Sequence, residues 1–457
     1  MRNIRQNFIK LAGLSVAALG LPMVGKTAPT APARPNIIFI LADDLGFEDL
    51  GCYGGVTYKG LGAVKTPNLD AMAKEGMLFR HAFACAVCSP SRSEVLTGKY
   101  NFRTGFRRIL GKPGVPDQLD FKVHPAIAAQ MKAAGYVTAA VGKWHVGPPC
   151  TKGDENEEIP TTSEADTTYP HPRECGFDRQ CIFSGGHLNQ YGEPKAGKYT
   201  PEILQNWTLN FLSSRKGRPE PFFIYYASPI PHGPHFPTPL NPDGKSGNRR
   251  GDISNYPYLI EYLDRQVGEL LAKLTELGLR DNTLVMFAGD NGSYGVTTQM
   301  RDGREIPGGK SKPLDTGAWV PLLASWPGGI KAGSVYEGMV DFTDILPTCL
   351  ELAGSSAQSG ADGVSFAPQL QGKPGAAREW AFSLSWNKWY ARETKWKLRD
   401  TGDLYDVSDS PYVEALVEPE DDTPESKAAR IRLQAVLDKL NPGIDRSSIK
   451  EKQTETE

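Results

Sequence analysis

Five short apolar runs recur along the chain, at residues 37–41, 137–141, 222–226, 283–287 and 322–325. None alternates with polar positions, so each reads as a strand buried on both faces. Between them, apolar residues fall at helical spacing over 125–134 and 258–277, the second run stopping at Gly278. Strands alternating with helices predict an α/β sheet. Three polar stretches break the rhythm: 148–173, 236–254 and 292–312. They are long for simple connections, and loops of that length are often functional or disordered. After about residue 375 the pattern changes. Trp380, Trp386, Trp389 and Trp396 fall close together, and Lys397 through Tyr405 reads as part of an antiparallel hairpin. A charged helix is expected over 423–440, and the charged residues 447–457 read as a frayed end.

The first 34 residues have a different character. Arg2, Arg5 and Lys10 precede a small apolar run at 11–25, then an Ala/Pro/Thr-rich stretch. A basic head, a short apolar middle and small residues near the cut make an export signal. The run is shorter than the roughly 20 residues of a spanning helix, and no later stretch is a membrane span. Asn7-Phe8-Ile9-Lys10 resembles the tail of a twin-arginine signal, with Gln6 where the second arginine would stand. The expected divisions are 1–34 as export signal and linker, 35–374 as catalytic domain and 375–457 as C-terminal subdomain. The protein is expected in a bacterial periplasm or outside the cell.

Composition narrows the function classes. The 457 residues carry a formal net charge of -2, whereas a nucleic-acid protein would show a basic footprint. A few local cations can hold an anionic substrate at any net charge. Seven cysteines leave at least one without an internal partner, and Cys175 with Cys181 is a candidate small loop.

Two apolar strands end in acidic and amide residues: 37–42 runs into Asp43-Asp44, and 284–289 into Asp290-Asn291. Ligands of open α/β sheets bind just outside the carboxyl ends of strands. Three carboxylates and an amide oxygen meeting there would repel one another without a cation, and an all-oxygen set suits Ca²⁺ or Mg²⁺ better than Zn²⁺. Either pair alone could equally be a helix cap or a turn. Residues 88–98 read Cys-Ser-Pro-Ser-Arg-Ser-Glu-Val-Leu-Thr-Gly. Pro90 fits a first helical turn, and Arg92 would project back toward Cys88 to stabilise an anion. By itself a cysteine beside an arginine is any thiol, reactive or inert, and Cys85 competes with Cys88.

Cys88-x-Pro90-Ser91-Arg92 followed by Leu96-Thr97-Gly98 resembles the signature of the type I sulfatases, in which this cysteine is oxidised to formylglycine. The resemblance runs from Pro35 to about Val407. It implies an alkaline-phosphatase-like α/β sandwich: a large mixed, mostly parallel central sheet, and a smaller C-terminal α+β subdomain with an antiparallel sheet. Asp43, Asp44, Asp290 and Asn291 match the family's metal ligands, usually of calcium. Lys143 and His145 match the pair that holds the modified residue and the sulfate. His232 matches the histidine that binds the ester, and Lys310 the lysine on the sulfate. Cys85 is then structural, as is the stretch 344–348. His235, Ser184 and His187 fall where substrate contacts often lie, while Trp319 departs from a more common basic residue.

The implied activity is hydrolysis of sulfate monoesters, of a sulfated carbohydrate in the first instance. A formylglycine-generating or radical maturation enzyme is the implied partner. A phosphonate or phosphate monoester hydrolase of the same superfamily is the nearest alternative, and a non-catalytic glycan-binding relative the alternative of another class. Trp207, Tyr191 and Trp389 are candidates for stacking on sugar rings, with core packing equally open for Trp207 and Trp389.

Overall fold

The apolar runs assemble side by side in one sheet. The computed structural model describes residues 34–55, 57–147, 170–183, 199–247, 251–356 and 360–444. Within them eight strands form the central sheet: β1 (Asn36–Asp43), β2 (Met77–Phe83), β3 (Val137–Lys143), β4 (Arg179–Phe183), β5 (Phe222–Pro231), β6 (Thr283–Gly289), β7 (Trp319–Ser325) and β8 (Ser334–Asp341). Their order is β8-β2-β7-β6-β1-β5-β3-β4.

Central β1 explains the unbroken apolar pattern. It pairs parallel with β5 on one side and β6 on the other, and all eight of its residues are buried. Ile37, Phe39 and Leu41 face one core while Ile38, Ile40 and Ala42 face the other. Successive side chains of a strand point to opposite faces, so between its polar ends, Asn36 and Asp43, a strand between two cores is apolar throughout.

Only β7 runs against the rest, antiparallel to both β2 and β6. An apolar run carries no mark of its direction. The direction follows from the connection: between β6 and β7 the chain makes no crossover helix and returns from the same sheet edge. Three strands escape the sequence pattern. In β2, Arg80 and His81 interrupt the apolar residues, while β4 and β8 are edge strands with polar positions.

Of the polar stretches, 292–312 is not a plain loop. It holds a hairpin, Thr298–Arg301 with Arg304–Pro307, in a small sheet with Thr57–Tyr58 and Gly62–Ala63. The turn is Asp302-Gly303, both at positive φ (52° and 75°), as a two-residue hairpin turn of that sequence requires. Most of 148–173, and the segments 1–33 and 447–457, lie outside the described residues.

The C-terminal hairpin extends into a five-stranded antiparallel sheet: β9 (Ala381–Ser385), β10 (Lys388–Arg392), β11 (Trp396–Arg399), β12 (Leu404–Asp406) and β13 (Ala415–Val417). The helix Pro424–Leu440 packs on it through Ala429, Leu433 and Leu437. Thr423 caps that helix, its hydroxyl accepting from the Ser426 N–H at 3.1 Å. Cys175 and Cys181 form no disulfide: one sits in the core on one face of the central sheet, the other in the core on the opposite face. Trp207 stacks on Phe211 in the core, and Trp389 belongs to the C-terminal core. Trp319 stacks on Phe47 with ring centres 4.0 Å apart.

A buried ion cluster ties the C-terminal sheet to the segment before β7. Asp315 pairs with Arg392 of β10 at 2.9 Å and Lys397 of β11 at 3.3 Å, and Ser410 donates to it at 2.6 Å. Lys397 also meets Glu414 at 2.6 Å. Burial by itself would raise the Asp315 carboxyl, but Arg392 and Lys397 outweigh it and hold it well below the usual range. Breaking a buried pair from one side leaves the other charge uncompensated. Asp315→Asn is therefore expected to cost about 3–5 kcal/mol, read as a lower denaturant midpoint. A group whose folded pKa is depressed stabilises fully above its unfolded value. The difference between wild type and variant should therefore hold at neutral pH and shrink as pH falls below about 4.

Candidate active site

The carboxyl ends of β1, β3, β5 and β6 open on one edge of the sheet, and the chain leaves β2 at the same edge to enter the helix Cys88–Thr97. Along this edge Asp43 ends β1 with Asp44 next, Lys143 ends β3 with His145 two residues on, His232 follows β5, and Asp290 and Asn291 follow β6. Residues 247 positions apart thus become hydrogen-bond partners, as with Asn291 Nδ2 to Asp44 Oδ1 at 2.8 Å.

The acidic residues are fully buried, and cations crowd them. Lys143 Nζ lies 2.6 Å from Asp43 and Lys310 Nζ 2.6 Å from Asp44. Arg92 donates to Asp290 at 2.7 Å and to the Lys143 carbonyl at 2.8 Å, and stands 3.7 Å from Asp43. His232 Nε2 is 3.7 Å from Asp44. Burial favours the neutral acids, but Lys143, His232 and Arg92 hold Asp43 far below the usual carboxylate range, and Lys310 does most to lower Asp44. Asp290 goes the other way. Burial and then the Asp43 charge push it up to about 7, against Arg92 and Lys143. Lys143, Lys310 and Arg92 match the three carboxylates in number, and Asp290 is the one whose charged form is least favoured.

The geometry fits a metal ion. Carboxylate oxygens of Asp43 and Asp44 lie within 4.8 Å of each other and of a His232 nitrogen, and Asp43, Asp290 and Cys88 form a second such group. Asp43 Oδ1 and Asn291 Oδ1 are buried with no hydrogen-bond partner. Buried polar atoms are normally satisfied, so two orphaned oxygens in one cluster match a hard cation's demand for oxygen ligands. Asp44 adopts φ +65°, which its backbone N–H, donating to Asp290 at 3.1 Å, and its carbonyl, accepting from Tyr256 at 3.1 Å, help to hold.

Cys88 opens its helix directly above this cluster. Its Sγ is 3.2 Å from His145 Nδ1, and the thiol is fully buried. Burial raises its pKa in spite of Lys143 and Lys310, so the sulfur is not primed as a thiolate. Cys85 lies away from the cluster, its thiol donating to Glu94 at 3.2 Å. Burial lowers His232 to about 4, with Lys310 adding to the effect, and burial lowers His235 to about 4 as well. His235 packs edge-on against Tyr256 at 5.3 Å and beside Tyr294, with its Nε2 unpartnered. Ser184, His187 and Tyr191 lie outside the described residues.

Lys310 depends on its loop. Its N–H donates to the Ser293 carbonyl at 3.1 Å, and the Ser311 N–H to that of Ala86 at 2.7 Å. The loop is thus wedged between the strand end that carries Asp290 and the entrance to the Cys88 helix. A Cβ on Gly309 would sit 2.3 Å from Thr316, so only glycine lets the two segments touch. No motif marks Ser293 or Tyr256 in advance: they are ordinary residues until the fold brings them beside the site. Trp319 does not enter the pocket, because its indole N–H donates to the Arg80 carbonyl at 2.9 Å in the core.

Comparison with known proteins agrees with this arrangement. The Sulfatase family profile matches residues 35–355. Human N-acetylgalactosamine-6-sulfatase is 30% identical over 390 residues, 76% of this chain and 67% of that protein. An ulvan-active sulfatase of Formosa agariphila is 32% identical over 369 residues, 78% of this chain and 61% of that protein. Among solved structures, Ps i-CgsB superposes with a TM-score of 0.70 at 25% identity, covering 89% of this chain and 92% of that one. Its parallel sheet, its acidic strand ends and these likenesses together place the chain in the sulfatase family of sulfuric ester hydrolases, with the alkaline-phosphatase-like fold.

Proposed function

We propose that the chain removes sulfate from a sulfated carbohydrate, through a formylglycine made from Cys88 and with a divalent cation held by Asp43, Asp44, Asp290 and Asn291. The observation that carries this reading is the convergence of Cys88, five cationic or imidazole side chains and a buried carboxylate cluster with two unpartnered oxygens at one sheet edge. Burial raises the Cys88 thiol, so the reading does not rest on a cysteine thiolate as nucleophile. The sugar preference draws on the relatives, two of which are named for carbohydrate sulfate esters. Ca²⁺ suits the all-oxygen set, with Mg²⁺ the second choice. Exported residence follows the same reading, and no described helix is long and apolar enough to cross a membrane.

When bound, the cation would supply Lewis-acid polarisation of the sulfate oxygens. As a hydrated aldehyde, the modified residue would supply one hydroxyl, deprotonated beside the cation and Arg92, to attack sulfur, and a second whose deprotonation restores the C=O bond and releases sulfate. The chain's own groups do the rest. Lys143 and Lys310 offset charge that grows on the sulfuryl oxygens, commonly the main source of rate enhancement in such a transfer. Arg92 holds Asp290 and adds positive charge beside the nucleophile. His145, at hydrogen-bond distance from position 88, takes the proton in the release step. Lys310 or His232 delivers a proton to the departing sugar oxygen.

Intact-mass analysis of protein made in a host with the maturation enzyme is expected to show a loss of about 18 Da at Cys88, thiol replaced by aldehyde. Full turnover by Cys88→Ala would refute the scheme. Lys310→Ala is expected to lower kcat on a sulfated saccharide by about 10²–10³-fold. Chelation should lower the thermal midpoint of the unmodified protein, and Ca²⁺ at about 100 times its Kd should restore about 2.7 kcal/mol; an unchanged midpoint would remove the metal from the proposal. Parallel assays on sulfate, phosphate and phosphonate esters distinguish the activity from that of its superfamily neighbours.

A further inference from the structure

One cationic strip beside the nucleophile is not used by the chemistry above. Residues 105–119 follow the Cys88 helix and are pinned at two places. The Leu110 N–H donates to Ser89 Oγ at 3.1 Å, and the Leu119 N–H donates to the Val146 carbonyl at 2.8 Å. Ser89 and Val146 are the chain neighbours of Cys88 and His145, so the segment straddles the reacting pair. Arg107 and Arg108 stand two to three residues before the first anchor, which limits them to within about 12 Å of it. Both are partly exposed, and neither guanidinium has a carboxylate partner among the described residues.

The other wall comes from the C-terminal sheet. Trp386 and Asn387 form the two-residue turn between β9 and β10, and the Trp386 N–H donates to the Arg107 carbonyl at 3.0 Å. Arg108 lies over the Trp386 ring at 5.2 Å and donates to Asn387 Oδ1 at 3.3 Å. Trp386 adopts φ +62°, a region a bulky side chain rarely occupies, and it belongs to none of the hydrophobic cores. A strained, half-exposed tryptophan that packs no core points to use at the surface. An aromatic face beside the Arg108 guanidinium, which has no carboxylate partner among the described residues, with Arg107 next to it in the chain, suits a sugar ring bearing an anionic group, since the planar fork matches sulfate and carboxylate alike.

We propose that Arg107, Arg108, Trp386 and Asn387 form a subsite for a second anionic group, a sulfate or a carboxylate, on the sugar next to the one that bears the scissile sulfate. The proposal rests on the sulfatase reading for its substrate, but its test does not require turnover. Three disaccharides sharing one sulfated sugar are compared, with a neutral, a sulfated or a uronate neighbour. Binding is measured by calorimetry on Cys88→Ala, and kcat/KM on the aldehyde-bearing enzyme. The anionic disaccharides are expected to bind about tenfold or more tighter than the neutral one, a margin that shrinks with added salt. In the Arg107→Gln/Arg108→Gln variant that margin should collapse toward one, through KM rather than kcat, and Arg108→Lys should recover part of it. Preference for the sulfated or the uronate neighbour identifies which anion the site takes. Equal binding of all three by wild type, or a margin kept by the double glutamine variant, overturns the subsite whether or not the enzyme turns over. Absence of turnover with the binding margin intact counts against the sulfatase mechanism and leaves the subsite standing.

Discussion

The arrangement depends on mutual repulsion among Asp43, Asp44 and Asp290, buried together where little water screens them. Like charges at this separation in a low-dielectric interior cannot remain ionised without compensation. The fold supplies it in pieces: Lys143 to Asp43, Lys310 to Asp44 and Arg92 to Asp290. Each cation comes from a different segment, so the acidic cluster fixes β3, the Lys310 loop and the Cys88 helix relative to β1. The same charges that neutralise the acids surround Cys88. The cations that meet the acids are thus the same ones that face the Cys88 end of the pocket.

Directionality of the sheet makes the convergence possible. Seven of the central strands run the same way, so their carboxyl ends open on one edge and deliver polar residues to one place. The antiparallel β7 does not disturb this. It begins at that edge, and the residues before it bring Lys310 back to the site. A crossover helix in its place would have carried that lysine to the far side of the sheet.

The C-terminal sheet acts at two points of the same edge. Its strands hold Asp315 through Arg392 and Lys397, five residues beyond Lys310, and its first turn sets Trp386 against Arg107. A residue far along the chain can thereby influence a loop whose own sequence is Gly-Lys-Ser-Lys-Pro.

Two-faced burial of β1, β3, β5 and β6 is legible in the linear pattern, because a strand between two cores must be apolar at every position. So is the chemistry: Asp43-Asp44, Asp290-Asn291 and the Cys88–Gly98 signature are local patterns, readable wherever they sit. Edge strand β8 is not legible because one wet side removes the apolar signal, and β4 is not because Arg179 and Gln180 open a five-residue run that is nonetheless largely buried. The Asp302-Gly303 hairpin reads as loop by its polarity, although its turn residues stand in plain view. The direction of β7, the placement of Cys175 and Cys181 on opposite faces, the core position of Trp319 and the meeting of Arg107 with Trp386 emerge from the folded chain alone. Those facts depend on contacts between residues far apart in sequence, in some cases by hundreds of positions. A linear pattern records what each residue needs around it, and the fold settles which residue meets that need.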